Sequence, residues 1–298
     1  NGVTCSEHTG TPVLIEYSAR MPTVPGAQYC RCPLSLRTDG NAGDCSLASI
    51  PPYPAAAMHS PYLDRALETL FPQQCRLCRL PSSSSLPLCG HCRHALRVNR
   101  SACACCALPL ETMGTTTRYC PDCLSQAPAF TRISAPYCYE PCLAYLVSQW
   151  KYQGERRLAV LFARLWLDAV ADLPEVDLLV TVPLHWSRLL RRGFNQSELL
   201  LHEIRRASPR IATINADPRR LRKHRATSHQ VGHDARQRRS NLVGAFTVKQ
   251  RCDNLRVAVV EDVVTTGATA SAVSEALSDA GAAEVHIWCL ARTPPPEH

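Results

Sequence analysis

Apolar residues recur at helical spacing through residues 143–171 (LAYLVSQWKYQGERRLAVLFARLWLDAVA). The pattern breaks near Gly154, so it predicts two helices. Residues 63–71 (LDRALETLF) predict a short amphipathic helix ahead of them. Three apolar runs, at 177–182 (DLLVTV), 255–260 (LRVAVV) and 284–290 (EVHIWCL), predict buried strands. Residues 195–206 open with Asn195 and carry Glu198 three positions later, a helix-start signature. Residues 269–280 predict a helix that Gly281 ends in a left-handed conformation. The strand–helix–strand succession over 255–290 is a βαβ unit, so the C-terminal part is expected to be α/β with a parallel sheet. Residues 207–240 are polar and basic and are expected to form one long loop, functional or mobile. Residues 1–57 keep no period and are expected as a disordered extension; a start at Met58 would account for everything after it.

Composition narrows the class. The 298 residues are 45% hydrophobic and 19% charged, enough for one sizeable core and a small module. No apolar run approaches the ~18–20 residues of a membrane span, so no membrane insertion is expected. The opening NGVTCSEHTGTP has neither a basic start nor an apolar stretch and does not read as a secretory signal. The net charge of +8 is concentrated: residues 188–239 hold 14 basic and 4 acidic side chains, the rest of the chain 19 and 21. Such a segment meets phosphates of a nucleotide, a sugar or a nucleic acid, or is a solvated basic face.

Seventeen cysteines without an export signal argue against a disulfide framework. Eight of them form C-x-x-C pairs, Cys75/Cys78, Cys89/Cys92, Cys103/Cys106 and Cys120/Cys123, within 49 residues. Thiolates two residues apart grip one metal from a tight turn, and two such turns complete a tetrahedral zinc site, so the four pairs predict two structural zinc ions. Sequential pairing is preferred, and a crossed arrangement stays open. Cys105 is a spare thiol in the third pair, while His91 and His94 are expected as exposed loop residues.

The densest chemistry lies in residues 257–269, VAVVEDVVTTGAT. An apolar strand runs into Glu261 and Asp262, and Val263 and Val264 lead to Thr265, Thr266, Gly267, Ala268 and Thr269 at a helix start. Gly267 permits a sharp turn, so that successive N–H groups and the helix N-terminus form an anion cradle. Adjacent carboxylates at the strand's C-terminal end accept hydrogen bonds from a vicinal diol. Phosphate in the cradle and ribose hydroxyls on the acids would fit a ribose 5-phosphate group. Neither G-x-x-x-x-G-K-[ST] nor G-x-G-x-x-G after a strand occurs.

This stretch resembles the 5-phosphoribosyl-1-pyrophosphate (PRPP) signature of type I phosphoribosyltransferases, with Glu at the first acid. Residues 182–185 (VPLH) and 191–196 (RRGFNQ), with Gln230, Arg238, Asn241, Ala245 and Phe246, resemble the ComF family, competence-associated proteins with cysteine knuckles ahead of a transferase-like domain. The resemblance covers about residues 63–293. It implies a type I phosphoribosyltransferase-like parallel sheet with helices on both faces over residues 131–298, preceded by a double zinc ribbon over 58–130. It also implies Glu261 and Asp262 as catalytic acids, residues 263–269 as the PRPP loop, and Pro183, Leu184 and His185 on pyrophosphate, carried as its Mg²⁺ complex. The basic 219–239 segment would be the mobile loop over the site. Arg188, Arg191, Arg192 and Arg238 supply the positive charge pyrophosphate needs. Asn195 is either a pyrophosphate contact or a helix cap, and Lys151 either a family position or a surface lysine. The implied role is cytoplasmic, in uptake of transforming DNA, with single-stranded DNA and a DNA-uptake helicase as partners. The alternative is a non-catalytic adaptor that binds single-stranded DNA, using a degenerate site and the zinc ribbons to dock partners.

Overall fold

The computed structural model describes residues 3–5, 13–15, 73–82, 85–110, 118–170, 172–224, 242 and 244–295. Two compact units emerge, Asn1–Phe71 and Pro72–His298. In the first, strands β1 (Val3–Cys5) and β2 (Val13–Ile15) pair antiparallel. The rest of the expected extension and the helix expected at 63–71 lie outside the described residues.

The second unit is built on a parallel sheet in the order β3-β10-β9-β5-β6. Its strands are β3 (Arg132–Ser134), β5 (Leu178–Thr181), β6 (Asn215–Ala216), β9 (Arg256–Val264) and β10 (Glu284–Arg292). Strand β4 (Tyr137–Cys138) continues the edge along β10. The β9–β10 ladder runs from Arg256↔Glu284 to Val264↔Arg292. Both strands are near-continuous apolar runs because the sheet is covered on both faces. They outrun the sequence reading by four and two residues: the ladder continues past Glu261 and Asp262, which therefore lie inside β9 rather than after it.

Helices α3 (Pro141–Tyr152) and α4 (Leu158–Ala169) are separated at Gly154, with φ +71°, as the broken pattern predicts. They and α6 (Gln196–Ala207) share a core with Leu179, Ala258, Val260 and Trp288 of the sheet. Trp150, Trp166 and Trp288 are at most 1% exposed; burying a large apolar side chain contributes about 1.5–3 kcal/mol. Helix α8 (Ala268–Asp279) covers the opposite face through Val273 and Leu277 on Val257, Val259 and Ile287. Among the described residues no helix is long and apolar enough to cross a membrane.

The cysteine region is fused to this body. Cys75, Leu88, Cys92 and Leu96 belong to the α3–α4 core, whereas Cys103, Cys106, Ala107 and Cys120 belong to the α8 core. Each ribbon thus feeds the core of one sheet face. The described part of the expected loop, residues 207–224, is not one continuous loop. It carries α7 (Pro209–Ala212), capped by Ser208, then β6 and β7 (Leu221–Lys223), which pairs with β8 (Phe246–Val248). Elements of two to four residues leave no readable period, which is why the pattern missed them.

Candidate functional site

The two cysteine groups are Cys75, Cys78, Cys89, Cys92 and Cys103, Cys106, Cys120, Cys123; within each group the Sγ atoms all lie within 4.8 Å of one another. First pair meets second and third meets fourth. The Cys78–Cys89 and Cys106–Cys120 Sγ separations are 3.8 and 3.5 Å. A tetrahedron with Zn–S of 2.3 Å has edges of roughly 3.8 Å, so both donor sets fit structural zinc.

The two ribbons repeat one another. Cys75 N–H donates to Leu80 O and Arg79 N–H to Cys75 O; Cys103 N–H donates to Leu108 O and Ala107 N–H to Cys103 O, all at 2.9 Å. Arg79 and Ala107, each following the second cysteine, have φ of +63° and +54°. The sequence signal was there: C-x-x-C-x-L-P occurs at 75–81 and again at 103–109. The closing pairs sit alike, with Cys89 and Cys120 at the N-cap positions of the short helices α1 (Gly90–His94) and α2 (Pro121–Ser125); only Cys89 accepts a capping bond, from Cys92 N–H. Burial raises the Cys75 and Cys103 thiols, but backbone N–H groups aimed at each sulfur outweigh it and bring both to about 7. Such thiols are ready to ligate as thiolates. His91 and His94 are exposed on α1, outside both donor sets, and Cys105 Sγ faces Thr131 O at 3.8 Å.

The chain leaves β5 toward β6, then returns to β9 on the far side of β5 and proceeds to β10. That reversal makes the C-terminal ends of β5 and β9 a switch point, where open α/β sheets take ligands. Glu261 and Asp262 face this place. Asp262 Oδ2 is 2.7 Å from Lys151 Nζ, and its Oδ1 accepts from Val263 N–H at 2.7 Å. Burial lowers the Lys151 pKa, and the Asp262 charge more than offsets it, so the ammonium is held charged. Glu261 Oε2 is buried without a hydrogen-bond partner. Burial, then the Asp262 charge, pushes the Glu261 carboxyl up to about 8, with Lys151, Lys223 and Arg292 pulling the other way.

Val263 and Val264 are buried, whereas Thr265 is exposed and Thr266 and Thr269 are half-buried. Gly267 caps α8 at φ +80°, and a Cβ built on it would meet nothing within 4 Å. Thr266 Oγ1 accepts from the N–H of buried Ala268 at 3.4 Å. The cradle is therefore open where the turn requires glycine.

After β5, Pro183 and Leu184 are half-buried, and His185 Nδ1 caps α5 (Trp186–Arg192). Arg188 is half-buried, and burial and the Arg192 and Arg191 charges lower its pKa. Arg191 is exposed; Arg192 lies over the Tyr152 ring at 5.1 Å and donates to Gln196 Oε1 at 3.1 Å. Asn195 is spent on structure: Oδ1 accepts from Ser197 N–H at 3.0 Å, and Nδ2 donates to Val182 O at 3.1 Å. It caps α6 and ties that helix to the end of β5. Arg238 lies outside the described residues, as do Gln230 and Asn241.

Sequence reasoning missed two contributors. Lys223, on β7, is brought near Arg188 and Glu261; burial and the Arg188 charge push it down to about 8. Arg292, 7% exposed at the end of β10, donates from Nε to Cys106 O at 3.1 Å and from Nη1 to the carbonyls of Val264 (3.3 Å) and Thr265. An arginine closing an apolar strand was the available signal. Between the second ribbon and α8 lies a cavity of about 890 Å³, bordered by Phe130, Tyr139, Thr265, Gly267, Glu275 and Arg292.

A parallel α/β sheet fused to a double zinc ribbon defines the class of this chain. The family model described as "Double zinc ribbon domain" matches residues 66–140. The "DNA utilization protein YhgH" of Salmonella typhi is 36% identical over 231 residues, covering 74% of this chain and 98% of that protein. The "Competence protein F" of Haemophilus influenzae is 33% identical over 219 residues, 70% of this chain and 86% of that protein. The chain belongs to the ComF family. Among solved structures, a glutamine PRPP amidotransferase from B. subtilis complexed with ADP and GMP matches at 17% identity and TM-score 0.28, covering 46% of this chain and 26% of that one.

Proposed function

We propose that the chain binds PRPP, or a related phosphoribosyl nucleotide, at the C-terminal ends of β5 and β9, and that it serves DNA uptake in the cytoplasm. The observation that carries this reading is the acid pair of β9 beside an open, left-handed Gly267 at the switch point. Residues 265–269 would take the 5-phosphate on backbone N–H groups and threonine hydroxyls. Asp262, paired with Lys151, and Glu261, with an unpartnered oxygen, would take the ribose hydroxyls. Pro183, Leu184 and His185, with Arg188, Arg191 and Arg192, would line the pyrophosphate side, and Arg238 is proposed to join them.

The chemistry such a site supports is substitution at C1 of the ribose. The C1–O bond to pyrophosphate breaks, a bond to an acceptor nucleophile forms, and pyrophosphate leaves with the electron pair. Mg²⁺, held by pyrophosphate with the acids of β9 nearby, would neutralise the leaving group's charge. The protein's own part is positioning and charge stabilisation of a ribosyl-cation-like state. The DNA-uptake role is supported by the names of the relatives, one a DNA utilization protein and one a competence protein. Single-stranded DNA and a DNA-uptake helicase are the partners that role calls for.

Calorimetry on the zinc-loaded chain tests the reading, with PRPP–Mg²⁺ in one titration and a single-stranded oligonucleotide in the other. Saturable PRPP binding is expected. Oligonucleotide binding with no heat from PRPP would replace the reading with the non-catalytic adaptor.

A further inference from the structure

We propose that Arg292 couples the second zinc ribbon to the phosphate loop, so that residues 264–267 keep their ligand-ready shape only while zinc fills the site of Cys103, Cys106, Cys120 and Cys123. The inference rests on the phosphate-site reading above for its functional meaning; the coupling itself is a property of the fold.

Arg292 is a buried cation satisfied by backbone. Among the described residues it has no carboxylate within ion-pair distance, and its donors go to main-chain oxygens. One carbonyl, Cys106 O, belongs to a ligand of the second ribbon, and two, Val264 O and Thr265 O, belong to the loop that enters α8. A buried guanidinium deprived of a partner is costly, so it holds these segments at fixed spacing.

Both ends of this strut are set by local geometry. On the ribbon side, the Cys106 carbonyl is aimed by the turn in which Ala107, at φ +54°, donates to Cys103 O and Cys103 donates to Leu108 O. Zinc held by Cys103 and Cys106 would close that turn. On the loop side, C=O and N–H point in opposite directions across a trans peptide. Holding the Val264 and Thr265 carbonyls therefore turns the Thr265 and Thr266 N–H groups away from Arg292, which fixes the donors of the anion cradle.

The cavity beside the strut makes it matter. Space of about 890 Å³ separates Cys106, Cys120 and Phe130 from Thr265 and Gly267, with Arg292 on its wall. Val264 and Ala268 share the α8 core with Cys106, Cys120 and Phe130, and Val264 O also accepts from Thr293 N–H at 3.0 Å; the guanidinium adds the polar link that reaches Thr265 from the ribbon. Among the described residues no arginine links the first ribbon to this loop: Cys75 and Cys92 pack into the core of the opposite sheet face, with Trp150 and Leu165.

The test is amide hydrogen exchange on the full, zinc-loaded chain, read in a peptide over residues 264–270 and, as a folding control, in Leu178–Thr181. Zinc per chain is measured on each sample. Arg292→Lys keeps the charge but loses the fork that spans both segments. It should retain both zinc ions while residues 264–270 exchange about tenfold faster. Cys123→Ser should lose one zinc and accelerate the same peptide. The double variant should be no faster than either single one, because both break one path. Cys78→Ser should lose the first zinc and leave residues 264–270 at the parent rate.

A parent rate in Arg292→Lys would overturn the coupling, as would equal acceleration by Cys78→Ser and Cys123→Ser. If Cys123→Ser loses protection in Leu178–Thr181 as well, the comparison of Arg292→Lys with the parent decides alone. PRPP–Mg²⁺ calorimetry on the parent separates the two ideas: no binding there sinks the phosphate-site reading, while the exchange comparison still decides the coupling.

Discussion

Lys151 Nζ, from the last turn of α3, lies 2.7 Å from Asp262 Oδ2 in the middle of the switch point, with 18% and 16% of the two side chains exposed. The pair joins the helical layer to the strand that carries the candidate chemistry. A mostly buried ion pair is weak evidence for stability, since desolvation offsets much of the attraction. It is better evidence that an ionised acid is wanted at this point, held in a fixed orientation.

Asp262→Asn keeps the shape and removes the charge. A hydrogen bond to a charged group contributes about 1.5–3 kcal/mol, so PRPP affinity should fall roughly ten- to a hundredfold by calorimetry. Thermal stability should fall too, because Lys151 is left buried without its partner. Asp279→Asn, exposed at the far end of α8, is the control and should match the parent in both. Equal PRPP affinity in all three proteins would remove Asp262 from the site.

Glu261 gives a pH signature. Its carboxyl is pushed up to about 8 by burial and by the Asp262 charge. An unfolded glutamate titrates near ~4.3, so between the two values the folded state binds the extra proton. Stability contributed by this group is therefore present below the unfolded pKa and is lost as pH rises toward about 8. Glu261→Gln should flatten the fall in urea midpoint between mildly acid and mildly alkaline pH, gaining most on the parent at the alkaline end. Parallel midpoint curves would mean that Glu261 titrates normally.

The parts of this chain that were legible are those in which one residue type repeats at a fixed interval. The α3–α4 break at Gly154, the buried runs of β5, β9 and β10, and the four cysteine pairs are all periodic signals. Asn195 was legible as a cap because its partner sits two residues away, at Ser197. What escaped is non-local. Lys151 and Asp262 are 111 positions apart, and Arg292 and Cys106 are 186 apart, so no local pattern links them. Arg220 shows the same limit: it reads as part of a basic face, yet it pairs with Asp217 and donates to Gln250 O and Arg251 O, a structural use.

Zinc should be present at about two ions per chain in reduced protein, four thiolates completing each site. Cys75→Ser or Cys120→Ser should each lose one ion. Both residues are 1% exposed and sit in the two core clusters, so each loss should also lower the melting temperature of the whole second unit. Metal analysis that finds no zinc in freshly purified reduced protein would sink the metal assignment.

The basic segment supplies the last prediction, on DNA. Of its described cations, Arg220 is spent on Asp217, and Lys223 lies near Glu261 with its Nζ over the Phe246 ring at 5.2 Å. Arg219 and Arg222 are exposed. If single-stranded DNA is held along this side, these two side chains neutralise phosphates, and each contact adds about −0.7 to the log–log slope of affinity against salt. Arg219→Gln with Arg222→Gln should then flatten the slope by about 1.4 and weaken low-salt binding, without lowering the melting temperature. Arg220→Gln should behave in the opposite way, lowering stability while leaving the slope close to that of the parent. A salt slope unchanged in the Arg219/Arg222 double variant would place the DNA contacts away from β7 and its approach, and would leave the charge of this segment to the pyrophosphate side of the site.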